Sequence, residues 1–126
     1  MRTARSTLVV ATAMTIASCG FVGDHPISGP YRLVTVDADD DTSVCYTLSE
    51  GNCIGRVPAT VFAIGFNSSY IVAARHPDND RSRTEFYYID RAVDGPLVDP
   101  SVSVKGPFNS EAFAAERSRL GLPEPK

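Results

Sequence analysis

Apolar residues crowd between Thr60 and Arg75, where two nearly continuous runs, 61–66 and 70–74, flank the polar triplet Asn67-Ser68-Ser69. Runs of this length, rich in β-branched and aromatic residues, predict strands covered on both faces. The central turn residues argue against one helix. With Asn67-Ser68 as a two-residue loop, Phe66 faces Ser69, Ile64 faces Ile71 and Phe62 faces Ala73, and Gly65 lies opposite Tyr70. Val61, Ala63, Gly65, Tyr70, Val72 and Ala74 then share the other face. Asn67-Ser68-Ser69 also fits the N-x-[ST] acceptor pattern, but Asn and Ser are ordinary turn residues and the triplet is read as a turn.

Around this pair the pattern predicts further strands. Residues 31–36 read as a first strand, and 43–48 and 53–57 as a hairpin ended by Pro58. Residues 84–91 form a strand with Tyr87 and Tyr88 on opposite faces, so that at least one of them is a candidate for exposure. Residues 102–104 read as a short edge strand limited by Pro100 and Pro107. A helix is expected over 110–120, with Asn109 or Ser110 as its cap, Glu111 in its first turn, Arg117 and Arg119 in its last, and Gly121 as its stop. Phe113 and Leu120 give it a narrow apolar stripe. The expected fold is α+β: an antiparallel meander sheet of five or six strands with one C-terminal helix packed on it. Residues 31–122 would form the single globular domain and 123–126 a loose tail.

The N-terminus follows another pattern. Arg2 and Arg5 precede an apolar region over 8–17, with no acid before residue 19. That is the layout of a secretory signal, too short to span a bilayer. It ends in Ile16-Ala17-Ser18-Cys19, which resembles the lipobox of bacterial lipoproteins. The resemblance implies a signal peptide over 1–18, cleavage before Cys19, a diacylglycerol thioether on its sulfur and an acyl chain such as palmitate on its amine. The protein would then be lipid-anchored to the membrane of the cell envelope. Gly20 resembles the residue that follows the cysteine in lipoproteins sent to the outer membrane, which in a two-membrane host would leave the domain facing the periplasm. Residues 19–30, rich in Gly and Pro, read as a lipidated tether without packed structure.

Losing Arg2 and Arg5 with the signal moves the net charge from −3 to about −5. This argues against a nucleic-acid partner and against electrostatic adhesion to anionic lipid. Of three cysteines, Cys45 and Cys53 remain beyond Cys19, and an oxidising compartment favours a disulfide across the hairpin turn. Zinc would need more ligands than the two distant histidines, His25 and His76, offer. The acidic run 37–41 lacks the Gly and distal Glu of a calcium loop and reads as an exposed turn.

Several segments together resemble small bacterial exported proteins and lipoproteins: Arg56-Val-Pro, Thr60 to Asn67, Tyr70 to Ala73 followed by His76-Pro77, Tyr87-Tyr88-Ile89-Asp90, and a tail from Gly106 to Pro123. The resemblance covers most of the chain beyond the leader and implies no catalytic residue, cofactor or ligand.

Chemistry is sparse. A Ser82–His76–Asp78 set can be assembled from one polar loop, but no G-x-S-x-G turn, phosphate loop or dinucleotide fingerprint accompanies it. The same loop, with His76, Asp78, Asp80, Arg81 and Arg83, is the candidate interaction surface. The expected function is a membrane-anchored envelope lipoprotein that binds an envelope protein. The alternatives are a small envelope hydrolase using His76 and an inhibitor or immunity-type lipoprotein.

Overall fold

A computed structural model of the chain describes residues 21–36 and 41–126. Residues 1–18, where a signal peptide is expected, Cys19 and residues 37–40 of the acidic run lie outside the described residues. The first sheet comprises β1 (Phe21–Ser28), β2 (Tyr31–Val36), β3 (Thr42–Thr47) and β4 (Cys53–Val57). The second comprises β5 (Val61–Phe66), β6 (Tyr70–Arg75), β7 (Glu85–Asp90) and β8 (Val104–Phe108). Strands lie in chain order within each sheet, and every pairing is antiparallel. A short helix, α1 (Pro100–Ser103), precedes β8, and α2 (Ser110–Leu120) follows it.

The fold is thus antiparallel sheet with a C-terminal helix, as expected of an α+β chain. The single meander of five or six strands is not what forms: eight strands divide into two sheets. The reason is how much apolar surface there is to cover. Ile27, Tyr31, Val44 and Val57 of the first sheet form one buried cluster with Val61, Ile71, Ala73, Tyr87 and Ile89 of the second. One helix cannot cover both faces of so many strands, whereas stacking two sheets buries the inner face of each. The far face of the second sheet packs Val72 and Tyr88 against Phe113 of α2 and Leu122. Tyr87 and Tyr88 do face opposite ways, but both are buried, because each face has its own cover.

β1 replaces the expected unstructured tether. It pairs with β2 from Phe21↔Val36 to Ser28↔Tyr31, turning through Gly29 at φ 56°, a left-handed value that suits glycine. Its Gly and Pro content hid a strand that is secured by pairing and by the burial of Ile27. Residues 102–104 are likewise not one strand. Asp99 accepts from Ser101 N and caps α1, and β8 begins only at Val104. Pro107 is tolerated in β8 because this is an edge strand.

In the β5–β6 pair the observed register is Phe66↔Ile71, Gly65↔Val72 and Ile64↔Ala73. The loop is longer than two residues: Asn67 Oδ1 accepts from Ser69 N and Tyr70 N, and Asn67 N donates to Tyr70 O. A bulge at Phe62 then turns Val61 onto the face of Ile71 and Ala73. β6 is central and buried, but β5 is an edge, with Phe62 and Phe66 about half exposed. Gly65 does not meet Tyr70. Its bare backbone admits the Glu124 carbonyl, and a Cβ there would collide with it. Ile64 and Lys126 exchange both backbone hydrogen bonds, so 123–126 is a strap along the β5 edge and not a loose tail.

α2 matches expectation at both ends. Asn109 accepts from Ala112 N, and Gly121 closes the helix at φ 66°. Cys45 and Cys53 are bonded across the β3–β4 hairpin with Cα atoms 5.7 Å apart. Reduction, or paired Cys45→Ala and Cys53→Ala substitution, is expected to lower stability by about 2–3 kcal/mol on the loop-entropy account. Urea melts with and without reductant measure it; coincident curves would show that the cross-link leaves the unfolded chain unconstrained.

Candidate functional site

Two polar assemblies stand out. The first was invisible as such in the sequence. Arg56 sits on β4 where the register slips between Val44↔Val57 and Cys45↔Gly55, and this slip turns both Arg56 and Val57 inward. Asp94 lies in the segment after β7. Both side chains are 0% exposed, and Arg56 Nε donates to Asp94 Oδ2 at 3.0 Å. The same oxygen accepts from the Tyr31 hydroxyl at 2.8 Å, and Asp94 Oδ1 accepts from Ser103 Oγ at 2.9 Å. Arg56 also donates to the carbonyls of Gly55, Gly95 and Val98. Its guanidinium lies 5.5 Å from the Tyr46 ring, whose partner Tyr31 meets it edge-on.

Burial alone would push the Asp94 carboxyl up, but the bonds from Arg56, Tyr31 and Ser103 outweigh it and hold the group below its ordinary range. Burial, reinforced by Asp94, pushes the Tyr31 hydroxyl well up. A carboxylate that accepts from three side chains and an arginine whose bonds go to fixed carbonyls form a satisfied network. It ties β2 and β4 of the first sheet to Asp94 and Ser103, in the segment between β7 and β8 of the second. The available signal was an arginine in an apolar strand pattern, whereas Asp94-Gly95-Pro96 has only the composition of a turn.

The second assembly is the loop 76–83, which brings the expected surface residues together. His76 leaves β6 with its ring stacked on Phe62, centroids 4.0 Å apart, and its Nδ1 lies 2.9 Å from the Arg83 carbonyl. Pro77 is buried, and Asp78 and Asn79 both take left-handed backbone near φ 54°. Asp80 Oδ1 accepts from Ser82 N and from Ser82 Oγ at 2.6 Å; these bonds lower its carboxyl. Arg83 stands 3.9 Å from both Asp78 and Glu85, and Arg81 is exposed. The loop is therefore tied down at each end. The hydrolase geometry is not assembled: the Ser82 hydroxyl is directed to Asp80, and among the described residues no hydrogen bond joins Ser82, His76 and Asp78. His25 lies apart, on β1 opposite Leu33.

The sheets share their ends. The short link 58–60 joins β4 to β5 at one pole, where Val36, Val57, Arg75 and the start of β1 also lie. At the other pole Arg91 donates to Ser28 Oγ and to the Asn67 carbonyl, and Tyr31 reaches Asp94. The loop 76–83 belongs to the first pole. Among the described residues no group of three or more His, Cys, Asp or Glu could hold a metal ion, and no helix is long and apolar enough to cross a membrane. No family model, curated protein or solved structure matches the chain.

Proposed function

We propose that the protein is an envelope lipoprotein, anchored through lipid on Cys19, whose β-rich domain is a protein-binding module. Positive n-region, short apolar region, small residues and cysteine stand in the required order over 1–19, and that arrangement carries the anchoring half of the proposal. Several acyl chains on one cysteine supply the second hydrophobic anchor that stable attachment needs. In a two-membrane host the outer membrane is the destination, with the domain in the periplasm.

Binding is favoured over hydrolysis because Ser82 Oγ is committed to Asp80 and His76 to the Arg83 carbonyl. His76, Asp78, Asp80, Arg81 and Arg83 instead form a pre-ordered charged surface, with the exposed ring of Phe62 against it. Ordered loops lose less entropy on binding, which suits a recognition role. The partner is an envelope protein.

Metabolic labelling with a fatty-acid analogue tests the anchor. The wild-type chain should take up label and partition with membranes, and Cys19→Ala should lose both completely. Label that persisted in the variant would sink the proposal.

A further inference from the structure

The pole opposite the loop 76–83 carries an unexplained feature. Leu97 is 97% exposed, at the tip of the loop 95–98. A lone surface leucine needs no explanation. This one is different because of what holds it. The buried Arg56 Nη2 donates to the carbonyls of Gly95 at 3.0 Å and Val98 at 3.2 Å, one on each side of Pro96-Leu97. Val98 N also donates to Gly95 O, closing the turn. Asp94, immediately before it, is fixed by Arg56, Tyr31 and Ser103. Pro96 restricts its own φ, so the tip has little backbone freedom left. A fully buried guanidinium thus sits beneath a fully exposed leucine. Beside the tip Tyr46, Leu48 and Pro96 line a shallow, largely apolar depression next to Thr47 and Ser49.

We infer that Pro96-Leu97 is a pre-organised hydrophobic anchor that inserts into an apolar pocket of a protein partner. An apolar side chain presented on a rigid turn contributes to binding without the ordering cost of a mobile loop. The choice of a protein over a lipid surface has two supports. The exposed ionisable residue nearest the tip along the chain, Asp99, is acidic, whereas loops that enter anionic bilayers are flanked by basic residues. The tip also lies at the pole away from the start of β1, separated from it by ~20 Å of strand. This second support rests on the Cys19 anchor, which would face that far pole away from the membrane.

The test is site-specific photo-cross-linking in intact cells that express the full chain, with the photoreactive residue at position 48, beside the tip. The expected product is one discrete adduct with a different polypeptide. Leu97→Asp should reduce it at least about tenfold, the size of effect that marks an interface anchor. Leu97→Ala should reduce it by less, and Glu111→Ala, at an exposed position on α2, should leave it unchanged. Because Leu97 packs against little, both variants should melt with wild type, so a lost adduct cannot be lost folding. An adduct insensitive to Leu97→Asp overturns the inference, as do an adduct of twice the chain mass, one with lipid, or none. Acyl labelling of Cys19 in the same cells separates failure of the anchor from failure of this surface.

Discussion

Asp94→Ala is expected to destabilise the protein by about 3–5 kcal/mol, because it leaves the Arg56 guanidinium buried with no counter-charge. Arg56→Ala should cost a similar amount, since Asp94 would keep only Tyr31 and Ser103. The paired change Arg56→Met with Asp94→Leu should recover much of either loss, because apolar residues of similar volume need no partner. Urea denaturation of the four proteins measures the set. A double variant as unstable as the sum of the single ones would show that the network does not act as a unit.

The acid limb adds a second reading of the same prediction. Asp94 is held below its ordinary range, so its contribution is whole above the unfolded value of about 3.9 and is lost as pH falls through the lower folded one. Asp80 and Asp99 are lowered too, by their bonds from Ser82 and Ser101, so wild type must be compared with Asp94→Asn. The variant should lose less stability between neutral pH and pH 3. Tyr31 works in the opposite direction. Its hydroxyl is raised, so its contribution is whole below about pH 10 and fades at higher pH.

Ile89→Ala should be the other large effect, at about 2–5 kcal/mol. Ile89 is 0% exposed on β7 and faces the cluster between the sheets. Phe66→Ala removes a larger side chain but one that is 52% exposed on the β5 edge, and should cost well under half as much. Thermal melts of the two variants decide the matter. The reverse order would place the core outside the space between the sheets.

These residues also show how far the sequence could be read. α2 was legible at both ends because its caps are local: Asn109 and Gly121 act within a turn of themselves. The disulfide and most strand positions were legible for the same reason. What failed was non-local. That β5 leaves the first sheet instead of extending it is decided by the apolar faces of strands far apart in sequence. The β5–β6 register turned on the Asn67 side chain capping its own turn and on a bulge at Phe62. β1 looked like a linker because its composition is that of one, and its pairing with β2 is tertiary information. The candidate surface 76–83 was legible as a polar loop between strands. The Arg56–Asp94 network was not, because its members come from four separate segments and a one-residue slip decides that Arg56 points inward.

β1 has one further implication, for how far the protein can reach. It begins at Phe21, so a single residue separates it from Cys19. With lipid on Cys19 as proposed, that single residue, Gly20, would be the whole leash between anchor and sheet. The domain would ride close to its bilayer, and Pro96-Leu97 would sweep a shell only ~20–30 Å above it. Proteins embedded in the same membrane, or lying on it, fall inside that shell. A partner from the opposite membrane would have to cross the gap itself.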